Sequence, residues 1–190
     1  MTAPTVSPWN LANYLTVLRL LLVPVFLVLL LGKEGQDEQW RYAAAAVFLL
    51  AAWTDRIDGQ IARSRGLITS FGKLADPIAD KALTGMAFLG LSLIGELWWW
   101  VTVVMLVREW GITAMRFVVL RYGVMSAGRG GKLKTVLQAV AIMLYLLPLP
   151  DWAQPLALVV MLLALAVTVL TGRDYVRDAV ALRRRSRTGV

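Results

Sequence analysis

Four aspartates, Asp55, Asp58, Asp76 and Asp80, lie at the edges of strongly apolar runs, where an ionised side chain is costly and needs a partner or a function. Asp55 and Asp58 are three residues apart, and Asp76 and Asp80 are four apart. On helices, each pair therefore presents both carboxylates on one face. If the two helices are neighbours joined by a short loop over 63–75, the four acids converge at one membrane boundary. Carboxylates so crowded do not all stay ionised without cations, and a donor set made only of oxygen suits Mg²⁺ or Mn²⁺. The plainer reading is helix-end charges and caps. Asp76 ahead of Pro77 has the form of an N-cap followed by proline at the first helical position, but capping does not account for the other three.

Between the acidic pairs stand Gly59, Ala62, Arg63 and Gly72. Small residues one turn from a carboxylate allow a phosphate-bearing group, or equally another helix, to come close, and Arg63 offers a fork of donors for a diphosphate. Further along, Arg108, Ile112 and Arg116 follow at four-residue steps, which puts both arginines on one helix face. An arginine at the depth expected for Arg108 needs an anion. Glu109 is a local candidate, and a substrate phosphate is the other. Lys132 and Lys134 serve either as membrane anchors or as further phosphate ligands. Asn13 and Arg19 belong to the first apolar run, beside the same site, where each either touches a donor phosphate or is structural.

The elements that must position these residues are written in the composition. Of 190 residues, 58% are hydrophobic and 17% charged, against roughly 45–50% and about 25% in a soluble domain. The mean hydropathy is +0.65. There is no Cys and no His, which excludes a thiol nucleophile, a disulfide framework, a zinc site of the usual type and an imidazole base. Chemistry is left to carboxylates, cations, hydroxyls and oxygen-bound metals. Six apolar runs of membrane-spanning character are expected, at about 11–32, 42–62, 76–95, 97–121, 133–149 and 152–171. Gly95-Glu96 and Trp98 to Trp100 mark a tight interfacial hairpin between the third and fourth.

Six spans leave both termini on one side. The connections 1–10, 63–75, 122–132 and 172–190 hold eleven Lys and Arg, whereas the opposite connections hold two, Lys33 and Arg41. The positive-inside rule then makes the termini cytoplasmic. The first run carries no basic region ahead of it and reads as a retained span, not a cleaved signal. The tail at about 173–190 carries six Arg against two Asp, which suits anionic headgroups better than nucleic acid. No repeat or long linker divides the chain, so a single domain over 1–190 is expected.

The run Asp55-x2-Asp58-Gly59-x2-Ala62-Arg63-x8-Gly72-x3-Asp76-x3-Asp80 resembles, without a gap, the signature of the CDP-alcohol phosphotransferases. The resemblance implies an all-α integral membrane enzyme of six transmembrane helices, usually a homodimer. Such an enzyme moves a substituted phosphate from a CDP-linked donor to an alcohol and releases CMP. It further implies two divalent cations, Mg²⁺ or Mn²⁺, on Asp55, Asp58, Asp76 and Asp80, with Asp80 as general base. Asn13, Gly59, Ala62, Arg63 and Gly72 are implied to hold the CDP-linked donor.

Shorter elements are similar to those of bacterial phosphatidylglycerophosphate synthases: residues 10–19 (N-L-A-N-Y-L-T-V-L-R), Arg108-Glu109-Trp110, and Gly131 to Thr135 (G-K-L-K-T). They imply CDP-diacylglycerol as donor and glycerol 3-phosphate as acceptor, in a bacterial inner membrane with the site facing the cytoplasm. The acceptor's phosphate is then expected on Arg108, Arg116, Lys132 and Lys134. Inositol phosphate, serine or phosphatidylglycerol as acceptor uses the same scaffold and stays open. An ion pathway would spread its polar groups through the membrane depth, whereas these acids gather at one boundary. A silent partner subunit would have lost acids, and none is missing.

Overall fold

A computed structural model describes residues 11–64, 70–119 and 130–188. Among the described residues the chain is helical, with no strand: α1 (Leu11–Leu31), α2 (Glu38–Ser64), α3 (Ser70–Leu93), α4 (Trp99–Val119), α5 (Gly130–Leu146) and α6 (Gln154–Thr188). Short 3-10 turns at Gly32–Gly35 and Asp151–Ala153 precede α2 and α6. Asn13–Gly35 and Asp151–Arg177 are long and apolar enough to cross a membrane, and Leu133–Leu146 is a shorter apolar helix. In α2, α3 and α4 the ionisable residues described above interrupt the apolar runs.

Three helix ends differ from expectation. Within the stretch 63–75 expected as a connection, α2 continues to Ser64 and α3 begins at Ser70. Pro77 therefore lies inside α3, and Asp76 is not its N-cap. As the eighth residue of α3, Pro77 removes one backbone donor and crowds the carbonyl four residues earlier. Similarly, α6 does not stop near 171. It continues as one helix of 35 residues to Thr188, about 52 Å long at 1.5 Å per residue and so longer than a hydrocarbon core of about 30 Å.

The chain forms two compact units, Met1–Glu96 with Tyr145–Pro148, and Leu97–Leu144 with Leu149–Val190. In the first, α1 packs on both α2 and α3. The buried stripe of α1 runs Asn13, Thr16, Arg19, Val23, Phe26, Leu30, the three- and four-residue steps of one helix face. Small residues line the facing helices, Ala44, Ala45 and Ala51 on α2 and Ala79 and Ala87 on α3, so backbones come close, as they do where helices meet in lipid. At Gly90 a Cβ would stand 2.6 Å from Leu30 Cδ2. Phe26 and Phe48 fill the centre with ring centroids 5.8 Å apart.

The outward faces of this unit carry Leu18, Leu21, Val25, Val28, Leu49 and Trp53, all exposed, while Arg19 is fully buried. That pattern inverts a water-soluble protein and suits hydrocarbon surroundings. Turns close the unit with specific chemistry. Asp37 caps α2, accepting from the Trp40 backbone N–H at 3.2 Å and from Lys33 Nζ at 3.0 Å. Gly95, at φ +80°, ends α3 with a bond from Glu96 N to Leu91 O of 2.9 Å, the left-handed cap for which glycine is suited. This cap falls where the sequence pointed to a break. Arg41 Nη1 meets Glu96 Oε1 at 2.5 Å, and the same guanidinium donates to the carbonyls of Tyr145 (2.6 Å) and Leu146 (3.2 Å).

In the second unit α4 packs along α6. Val101 and Met105 on α4, Ala141 and Ile142 on α5, and Met161, Ala164 and Leu165 on α6 are buried. The rings of Trp98 and Trp100 stack at 6.2 Å at the start of α4.

Candidate active site

The acidic signature occupies the last turns of α2 and the first turns of α3, two touching helices. Ser64 and Ser70 are six residues apart in sequence, a reach of at most about 22 Å, so both acidic segments belong to the same end of the first unit. Asp55 is paired with Arg19 of α1, Nη1 to Oδ1 2.5 Å. The two partners are unequally sheltered: Arg19 has no exposed side-chain surface, and Asp55 keeps 41% of its own. Asn13 and Thr16 are buried on the same face of α1 as Arg19. Asp80 is half-buried on α3, where its carbonyl accepts from Thr84 Oγ1 at 3.0 Å.

Asp58, Gly59, Ala62 and Arg63 are on the helical backbone of α2, and Gly72 and Asp76 on that of α3. What their side chains touch lies outside the described residues, as do Asn10 and the connection 65–69. Arg116 and Lys132 are likewise placed on α4 and α5 by backbone alone.

The oxygen donors that the structure does describe suit a hard divalent ion. Asp55, paired with the buried Arg19, keeps 41% of its side-chain surface exposed. Carboxylate oxygens with such access are the ligands Mg²⁺ and Mn²⁺ prefer.

A second polar cluster lies within the other unit. Glu109 Oε1 accepts from Arg108 Nη1 (3.0 Å), Lys134 Nζ (2.6 Å) and Gln138 Nε2 (3.4 Å). Arg108 Nη2 donates to Thr171 Oγ1 at 2.7 Å, and Gln138 Nε2 also donates to Thr168 Oγ1 at 3.1 Å. The Arg108 stem lies flat on α6 at Gly172, where a Cβ would be 3.1 Å from Nε. Beside it runs an apolar groove of about 460 Å³ between α4 and α6, walled by Val103, Val107, Met115 and Val169.

The structure therefore brings Arg108 and Lys134 to one carboxylate, and the local pairing with Glu109 is what it shows for Arg108. Sequence reasoning passed over Gln138, Thr168, Thr171 and Gly172. Their signal was available: polar side chains spaced along otherwise apolar runs, and a glycine inside a helix. Arg19, which the sequence placed beside the site, is shown paired with Asp55.

Comparison with known proteins adds an independent line. Residues 9–170 match the family described as CDP-alcohol phosphatidyltransferase. The chain is 53% identical over 170 residues to a protein named probable phosphatidylglycerophosphate synthase from Mycobacterium tuberculosis, covering 90% of this chain and 81% of that one. It is 34% identical over 180 residues to the Bacillus subtilis protein named CDP-diacylglycerol–glycerol-3-phosphate 3-phosphatidyltransferase, covering 88% and 93%. A protein of the same name from Shigella flexneri is 32% identical over 180 residues, covering 90% and 95%. A match of that extent, in a chain whose aspartate signature is intact on α2 and α3, makes this protein a member of the CDP-alcohol phosphatidyltransferase family.

Proposed function

We propose that this protein transfers the phosphatidyl group of CDP-diacylglycerol to glycerol 3-phosphate, forming phosphatidylglycerophosphate and CMP. The observation that carries the reading is the ungapped signature in a chain similar, along about nine-tenths of its length, to proteins named for this reaction. Asp55, Asp58, Asp76 and Asp80 hold two divalent cations, Mg²⁺ or Mn²⁺. When bound, these ions neutralise charge on the donor diphosphate and on the departing CMP.

The chain's own residues do the rest. Asn13, Gly59, Ala62, Arg63 and Gly72 form the pocket for the CDP moiety, the small residues admitting the nucleotide and Arg63 offering paired donors. Arg19 holds Asp55 from the protein interior. Arg108, Arg116, Lys132 and Lys134 take the phosphate of the acceptor. Its primary hydroxyl oxygen forms a bond to the diacylglycerol-side phosphorus, the bond from that phosphorus to the CMP oxygen breaks, and Asp80 accepts the hydroxyl proton. In-line attack of this kind is chiefly a matter of positioning and charge neutralisation.

The substrates explain the membrane setting. Donor and product carry acyl chains, whereas CMP and glycerol 3-phosphate are polar, so a site at the boundary serves all four. On this reading the protein crosses the inner membrane six times as one functional domain. Its termini are cytoplasmic and its basic tail at 173–190 lies near anionic lipid, consistent with eleven cations on one set of connections and two on the other. The working assembly is a homodimer.

The test uses purified protein in detergent with CDP-diacylglycerol, labelled glycerol 3-phosphate and Mg²⁺ or Mn²⁺. Label should pass into the lipid extract and stop doing so with a chelator. Label that stays aqueous while inositol phosphate, phosphatidylglycerol or serine reacts would overturn the acceptor and keep the family chemistry.

A further inference from the structure

We propose that Glu109 is a positioning residue for the acceptor, holding Arg108 and Lys134 as a paired cationic seat for a phosphomonoester; the inference rests on the acceptor reading above. A single oxygen, Glu109 Oε1, collects Arg108 Nη1 from its own helix and Lys134 Nζ and Gln138 Nε2 from α5. The far side of the Arg108 guanidinium is fixed by α6. Thr171 Oγ1 donates to the carbonyl of Val167 at 2.7 Å, which turns its lone pairs towards Arg108 Nη2. Three helices thus set the geometry of two cations.

The charge balance gives the seat its purpose. The side chains of Arg108, Glu109 and Lys134 are only 11%, 15% and 12% exposed. Arg108 and Lys134 converge on that one carboxylate in poorly solvated surroundings, where cationic donors favour anionic acceptors. Arg108 Nε is buried without a hydrogen-bond partner among the described residues, so the guanidinium fork is not fully committed. A phosphate dianion supplies further acceptors for these donors. Glu109 itself would repel that dianion. It therefore acts through the cations, keeping both donors aimed, and it is not a ligand.

The roles open to Glu109 give opposite results in steady-state kinetics. Glu109→Gln and Glu109→Ala should raise KM for glycerol 3-phosphate by about tenfold or more, the scale of one charge-assisted hydrogen bond. KM for CDP-diacylglycerol and kcat should stay within about threefold. Glu109→Asp, which keeps the charge, should recover part of the loss. Glu109→Ala and Lys134→Met combined should raise KM by less than the product of the single effects. A lowered KM for glycerol 3-phosphate in Glu109→Gln would identify Glu109 as a competitor for the cations and overturn the inference. So would equal losses in kcat and both KM values. If Glu109→Ala does not fold, the nearly isosteric Gln and Asp variants decide.

Inorganic phosphate supplies a second readout that needs no turnover. It should raise the melting temperature of the wild-type protein and of Glu109→Asp more than that of Glu109→Gln. Should the wild type use an acceptor other than glycerol 3-phosphate, the acceptor reading fails while this phosphate effect still supports or overturns the role of Glu109. Equal phosphate effects in wild type and Glu109→Gln overturn it.

Discussion

Because the Arg19–Asp55 pair is buried at one end and open at the other, its two halves should differ sharply when removed singly. Asp55→Asn leaves the guanidinium of Arg19, with no exposed side-chain surface, without that carboxylate. Removing one partner of a buried pair costs about 3–5 kcal/mol. Arg19→Met fills the stem's volume with an apolar chain and leaves a carboxylate that is 41% exposed. Water then replaces much of the lost interaction, and the cost falls towards the about 1 kcal/mol of a surface pair. At roughly 2–4 °C per kcal/mol for a chain of this size, the expected losses are roughly 6–20 °C for Asp55→Asn and roughly 2–4 °C for Arg19→Met. The assay is thermal unfolding in detergent micelles with a chelator present, so that bound cations add nothing. Activity is the wrong readout, because both variants disturb the acidic signature. The double variant should be less damaged than the two singles added together. A loss for Arg19→Met equal to or larger than that for Asp55→Asn would refute the argument from unequal burial.

Asp80→Asn should lower transfer to glycerol 3-phosphate by about 10²-fold or more, the range of general base catalysis, while the melting temperature stays near that of the wild type; residual activity near the wild-type rate would remove Asp80 from the base role. Gly90→Val should cost about 1–3 kcal/mol by overpacking, since a Cβ there meets Leu30 Cδ2 at 2.6 Å and Leu27 Cδ1 at 3.3 Å; thermal unfolding reads it, and an undiminished melting temperature would contradict the close approach of α1 and α3. The bond from Lys33 and the Trp40 N–H hold the Asp37 carboxyl below the usual aspartate range. A depressed carboxyl pKa contributes stability that is present above the unfolded value, about 3.9, and is lost as pH falls through the folded one. Wild type should therefore lose melting temperature on acidification below about pH 4, and Asp37→Asn should show a smaller loss over the same range; superimposable pH profiles would count against the cap.

The apolar runs made the helices legible, and the Gly95-Glu96 break stood out because an acid beside a glycine and three tryptophans marks an interface. Helix ends were harder. Hydropathy fades where a helix leaves hydrocarbon, but backbone hydrogen bonding does not, so α3 starts at Ser70 ahead of its apolar run and α6 continues past Arg173 to Thr188. The aspartate signature was readable because i,i+3 and i,i+4 spacings are local. Pairings between distant segments were not: nothing in local spacing joins Arg19 to Asp55, or Lys134 to Glu109 and Gln138 to Thr168. The charges that needed partners could be named from the sequence, whereas the identity of those partners depends on how the helices pack.

The bonds made by Arg41 also imply an order of assembly. Glu96 is 55 residues downstream, whereas the carbonyls of Tyr145 and Leu146 are 104 and 105 residues downstream. As a nascent chain emerges, the guanidinium meets the nearer carboxylate once α3 has been made and gains the carbonyls only after α5 is complete. Loop-closure entropy rises only slowly with length, so the later step is delayed by synthesis more than by chain statistics. Until α5 is made, the guanidinium is therefore held by the carboxylate alone.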